Sequence, residues 1–148
     1  KNEEKTDLLQ LIPANWRNQG DIFRETVQIC GQSVERLRTR LKEADGASIE
    51  VEITDCGGNG DDELWRSLGF NFDLEQSETE EEVRYSTDGK NYLANLEYNY
   101  HEQEGQVQFI VDGRYFLEVQ IEGLSVMDLE DLVRENGMLD KLLRQAAK

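Results

Sequence analysis

The sequence predicts an α+β fold: an antiparallel β-sheet, made of a four-strand meander plus one or two further strands, packed on one face by a long N-terminal helix and by C-terminal helices. Three observations carry that expectation. Apolar residues recur at helical spacing from Phe23 to Leu41, and they alternate with polar ones from Ser48 to Thr54 and again from Val83 to Glu122. Asp-Gly pairs at 88–89 and 112–113 punctuate the last stretch as hairpin turns do. A chain of 148 residues can bury a core without metals or disulfides, so residues 1–148 are read as a single α+β domain with a frayed polar stretch over 1–7.

Leu8, Leu9, Leu11 and Ile12 form a short apolar turn that ends at Pro13, because a proline disfavours helix in the residue before it. Trp16 follows, and then Phe23, Val27, Cys30, Val34, Leu37 and Leu41 succeed one another in steps of 4, 3, 4, 3 and 4, one stripe of a helix. Arg24, Glu25, Gln28, Glu35, Arg36, Arg38 and Lys42 fall largely off that stripe. The spacing predicts an amphipathic helix from about Ala14 to Glu43, stopped by Asp45-Gly46 and packed on a sheet rather than in a coiled coil.

The period then becomes two. Ile49, Val51 and Ile53 alternate with Ser48, Glu50, Glu52 and Thr54 as a half-buried strand. A glycine-rich turn and a short helix near Asp61–Leu68 come next. Phe70, Phe72 and Leu74 alternate as a second strand, and residues 75–82 (EQSETEEE) read as a solvated connection.

In the meander, a two-residue Asp88-Gly89 turn would set Tyr85 opposite Tyr92, and the loop 101–106 would set Tyr98 opposite Phe109. A three-residue Val111-Asp112-Gly113 turn would set Phe109 opposite Tyr115. These registers collect Val83, Tyr85, Tyr92, Ala94, Leu96, Tyr98, Tyr100, Val107, Phe109, Tyr115, Leu117, Val119 and Ile121 on one apolar face. The opposite face reads Glu82, Arg84, Asn95, Glu97, Asn99, Gln106, Gln108, Glu118, Gln120 and Glu122, interrupted by Leu93, Ile110 and Phe116. After Gly123, Ser125 to Asp128 predicts a capping box with aspartate in the place of glutamate, opening a helix. Asn136-Gly137 breaks that helix and Met138, Leu139, Leu142 and Leu143 resume it. In outline the arrangement resembles a cystatin-like helix-on-sheet domain, without a motif of that family.

Charge narrows the function. Residues 44–123 hold 20 of the 32 acidic side chains and 4 of the 16 basic ones, so the formal net charge of −16 belongs to the middle of the chain. Phosphates would be repelled, which argues against nucleic acid and anionic membranes as partners. No apolar run approaches the roughly 20 residues of a membrane-spanning helix. The chain begins at Lys1 without a methionine, which reads as a processed or longer precursor.

Candidate chemistry is sparse. Asp55 to Glu63 lies between a strand and a helix, where phosphate loops lie, and contains Gly58-x-Gly60. Asp61, Asp62 and Glu63 would repel a phosphate at that helix end, so the reading is a capped turn. As a calcium loop the stretch places Gly57 at position three and Arg66 at position twelve, where ligands belong. His101 is the single histidine, and no catalytic triad or metal-ligand spacing surrounds it. The tyrosines of the apolar face read as core residues rather than a stacking platform. No enzyme, no cofactor and no metal site is expected.

The expected binding surface is the polar face of the meander: Asn95, Glu97, Asn99, Gln108, Ile110, Phe116, Glu118 and Gln120, with Phe116 and Ile110 as its apolar centre. A disulfide between Cys30 and Cys56 is expected too. Helix back from Gly46 and strand forward from it would run side by side, and a bridge would imply an oxidising compartment. The sequence thus reads as a non-catalytic binding domain of an exported or periplasmic protein, with an acidic surface that suits a basic protein partner. A small acidic chaperone, similar to type III secretion chaperones in size and charge, and an acidic nucleic-acid mimic are the alternatives.

Overall fold

The structure, a computed structural model, describes residues 8, 21–42, 45–58 and 60–134. Its strands are β1 (Asp21–Ile29), β2 (Gln32–Lys42), β3 (Ser48–Asp55), β4 (Ser77–Glu78), β5 (Glu82–Gly89), β6 (Tyr92–Asn99), β7 (Glu104–Val111) and β8 (Tyr115–Glu122). Its helices are α1 (Asp62–Leu68) and α2 (Val126–Arg134). The strands form one sheet in the order β1-β2-β3-β8-β7-β6-β5-β4, and every neighbouring pair is antiparallel. After β3 the chain crosses one face of the sheet through α1 to its far edge. It then meanders back until β8 closes against β3.

The expected α+β arrangement is therefore overturned: an eight-stranded antiparallel sheet dominates, and among the described residues no long N-terminal helix packs on it. Of the expected helix, residues 14–20 and 43 lie outside the described residues, and residues 21–42 are the β1–β2 hairpin. The reason is visible in β2. Leu37-Arg38-Thr39-Arg40-Leu41-Lys42 alternates strictly, and burial follows it, with Leu37, Thr39 and Leu41 in and the cations out. The 4-3 stripe mixes odd and even positions. On strands it splits, so that Val27 and Val34 point to one side of the sheet and Leu37 and Leu41 to the other. Cys30 and Gly31, with φ of 51° and 76°, make the two-residue turn that a hairpin of this hand favours.

Two further expectations change. Residues 70–75 are not a strand; Phe70 is buried and its ring meets Phe72 and Phe116 edge-on. The meander registers also slide. Tyr85 lies opposite Leu96 across a Lys90-Asn91 turn, Tyr98 opposite Gly105, and Phe109 opposite Leu117 across Asp112-Gly113-Arg114. Each slide is by an even number of residues, so side chains keep their faces. The apolar face holds as read except at Tyr100, which lies past the end of β6 and is exposed.

The sheet has a core on each face. On the inner face Leu37, Leu41, Ile49, Val51, Ile53, Leu96, Tyr98, Val107, Phe109, Val111, Tyr115, Leu117, Val119 and Ile121 pack with Leu8 and with Leu129 of α2. The capping box of α2 forms as expected: Ser125 N donates to Asp128 Oδ2 (3.0 Å) and Asp128 N donates to Ser125 Oγ (3.1 Å). On the outer face Val34, Cys56, Ile110 and Phe116 pack under Leu64 and Trp65 of α1 and under Phe70. The expected short helix is α1, capped by Asp61, whose Oδ1 accepts from Leu64 N (2.9 Å). The expected breaks and turns at residues 9–12 and 136–143 lie outside the described residues.

Candidate functional site

The outer face is divided across its strands into a covered end and an open end. Register defines the boundary as rows of directly opposed residues. The row Thr54–Phe116–Ile110–Leu93 is apolar and lies beneath α1 and the segment that follows it. The next row, Glu52–Glu118–Gln108–Asn95–Ser86, is polar and marks the rim of that cover. Beyond it run Glu50–Gln120–Gln106–Glu97–Arg84 and Ser48–Glu122–Glu104–Asn99–Glu82, with no element over them among the described residues.

The rim row fastens the cover. Gln108 Nε2 donates to the carbonyl of Gly69 (2.8 Å) and its Oε1 accepts from Asn71 N (3.3 Å). Asn95 Nδ2 donates to the carbonyl of Asn71 (2.6 Å), while its Oδ1 accepts from Ser86 Oγ (2.7 Å). Two side-chain amides thus satisfy the backbone that leaves α1, as buried polar groups must. Glu118, beside them, accepts from Gln108 Nε2 at 2.8 Å and from Gln120 Nε2 at 3.3 Å. Burial, and then the negative charge of Glu52 directly opposite, push its carboxyl above the usual range, while the hydrogen bonds from Gln108 and Gln120 pull the other way.

The open rows form a shallow groove of about 400 Å³ across β5 to β8. Glu82, Glu97, Glu104 and Glu122 line it with Asn99, Gln106 and Gln120, and among the described residues Arg84 is its one cation. That guanidinium donates to Glu82 Oε1 at 3.1 Å, so its charge is already matched. Gln120 Nε2 donates to Gln106 Oε1 (3.1 Å) across the floor. On the far side of β8, Arg38 and Arg40 of β2 pair with Glu52 and Glu50 of β3. Arg36, Arg38 and Arg40 are matched there by Glu25, Glu50 and Glu52, whereas the groove holds four carboxylates against Arg84.

The eight residues expected to form one binding surface are therefore split. Glu97, Asn99 and Gln120 line the groove, and half-buried Glu118 stands at its margin. Asn95, Gln108, Ile110 and Phe116 are buried beneath the cover, Phe116 completely. Glu104, which belongs to the groove, was hidden in an expected loop. Its signal was the alternation Glu104, Gln106, Gln108, which carries the strand two residues further back.

The expected disulfide does not form; both cysteines are free thiols. Its premise, a helix carrying Cys30 alongside the strand to Cys56, disappears with the helix. Cys30 sits instead at the tip of the β1–β2 hairpin, with Sγ 3.1 Å from Ser67 Oγ of α1. Cys56 is buried, and burial together with the adjacent Asp55 pushes its thiol up to about 12. The glycine-rich loop is structural: Asp55 holds Arg114 through two hydrogen bonds (2.9 and 3.1 Å), and Gly60 lies flat under the Trp65 ring. Among the described residues no cluster of three or more His, Cys, Asp or Glu could hold a metal ion, and no helix is long and apolar enough to cross a membrane. Comparison with known proteins finds no matching family model, no matching curated protein and no matching solved structure.

Proposed function

We propose that this chain is a non-catalytic binding domain whose groove across β5 to β8 takes a basic segment of a protein partner. The observation that carries the reading is the imbalance in the groove, where Glu82, Glu97, Glu104 and Glu122 face one guanidinium that Glu82 already neutralises. Lysine or arginine side chains entering from a partner would meet carboxylates on adjacent strands. The amides of Asn99, Gln106 and Gln120 offer further acceptors to an extended backbone or a guanidinium. The surrounding excess of negative charge would speed encounter with such a partner and make it sensitive to salt.

The test is titration of the full chain with an oligo-lysine peptide and with an oligo-glutamate peptide, followed by calorimetry at low and high salt. Binding of the basic peptide alone, weakened by salt and by the double substitution Glu97→Lys/Glu104→Lys, supports the reading. The control is Glu80→Lys/Glu81→Lys, which changes net charge equally outside the groove. Equal weakening by both pairs would mean that diffuse charge, rather than the groove, attracts the peptide, and the reading would fail.

A further inference from the structure

The two edges of the sheet are built differently. At one, β4 has only two residues, and Glu75, Glu78, Glu80, Glu81 and Glu82 surround it. Short length and repeated charge are the usual defences of an edge against a further strand. At the other edge β1 runs for nine residues with no proline, lysine or glycine, and among the described strands it has a neighbour on one side only. Phe23 on it is 60% exposed. Its charges are Asp21, Arg24 and Glu25, fewer than surround β4, and among the described strands its outer side is open.

The hairpin turn tells which groups the edge offers. Ile29 and Gln32 flank the two-residue Cys30-Gly31 turn and are the pair that exchanges both hydrogen bonds. Alternation then directs the N–H and C=O of Phe23, Glu25, Val27 and Ile29 to β2, and those of Ile22, Arg24, Thr26 and Gln28 outward. A docking strand has to bond to the even positions.

The geometry points to a second copy of this chain as the occupant, with its β1 antiparallel to this β1 about a two-fold axis at Thr26. A two-fold that continues the sheet leaves only the register to choose. Centring on Arg24 or on Glu25 sets a charge against itself, which is destabilising. Centring on Val27 shortens the overlap and leaves Phe23 opposite the turn. Centring on Thr26 sets threonine against threonine in a hydrogen-bonded pair, Arg24 against Gln28, Glu25 against Val27 and Phe23 against Ile29. No like charges then face each other. Val27 and Ile29 already pack against the outer core, so the ring of Phe23 extends that core across the interface. The β1 edge is thus self-complementary in one register, and the dimer carries a continuous sheet of twice the width.

Sedimentation analysis of the full chain tests this. The expected result is a concentration-dependent dimer that Thr26→Pro and Phe23→Lys each weaken by at least roughly tenfold. Thr26→Pro removes an outward N–H and no bond to β2, and Phe23 is exposed, so circular dichroism should be unchanged in both. Register is read by cross-linking in a Cys30→Ser background. At the axis Thr26→Cys pairs with itself about 5.5 Å apart and oxidises to a covalent dimer, whereas Arg24→Cys lies roughly 13 Å from its copy and does not. A chain that stays monomeric up to millimolar concentration overturns the proposal. So does a dimer indifferent to both substitutions, or one that cross-links through Arg24→Cys and not through Thr26→Cys.

Discussion

At the scale of the residue, Glu118 shows how one position can be both polar and costly. Its carboxyl is half-buried, hydrogen-bonded to Gln108 and Gln120, and faces Glu52 across the β3–β8 pair. Because burial raises its folded pKa above the usual 4.5, the folded state holds a proton where the unfolded state has released it. The stability that this proton contributes is present in acid and is lost as pH rises through the folded value. Glu118→Gln keeps an acceptor for Gln108 and abolishes the charge. We expect the variant to unfold at higher urea concentration than the wild type at pH 7, with the difference shrinking towards pH 4. A variant less stable than wild type at pH 7 would mean that the hydrogen bonds to the carboxylate outweigh its burial.

At the scale of the element, α1 and the segment after it turn half of a polar face into a second core. The helix is short, and its independent stability is negligible. What holds it is Trp65 and Leu64 on Ile110 and Phe116, with Gln108 and Asn95 fastening Gly69 and Asn71. Phe116→Ala should therefore destabilise the protein by about 3–5 kcal/mol, the range for a fully buried aromatic ring, with loss of the Trp65 environment visible in fluorescence. A cost below about 1 kcal/mol, the range of surface substitutions, would mean that the cover is not packed as described. The same substitution leaves the groove residues untouched, so in the fraction that is folded, binding of a basic peptide should persist.

At the scale of the whole molecule, charge and topology act together. The net charge of −16 is spread over a sheet whose arginines are largely committed to Glu50, Glu52, Glu25 and Asp55. Of these, the exposed Arg–Glu pairs on β2 and β3 contribute little each, whereas repulsion among the unmatched carboxylates is long-ranged. Adding salt should raise the melting temperature, because screening relieves more repulsion than it removes attraction. Differential scanning calorimetry between low ionic strength and about 0.5 M sodium chloride reads this directly, where the Debye length falls to a few ångström. A falling melting temperature would show that the Arg–Glu ladder on β2 and β3 outweighs the carboxylate excess.

Much of this molecule is determined locally. The alternation from Val83 to Glu122 decides which side chains share a face, and because strand periodicity is two, even register slides leave that assignment intact. The Asp61 and Ser125 caps are also local, since each needs only a side chain within reach of the next turn. The stripe from Phe23 to Leu41 was legible in two ways, and the hairpin was decided by tertiary pairing: β2 gains β3 as a neighbour, and two-faced burial suits a sheet with a core on each side. The residues expected to form one binding surface are divided for the same reason. Period and parity place Phe116 beside Glu118 and Ile110 beside Gln108, but only the crossing of the chain after β3 determines that α1 covers one pair of rows and leaves the carboxylate rows open. Sequence pattern assigns a face to each residue; which part of a face meets water depends on where a distant segment is forced to pass.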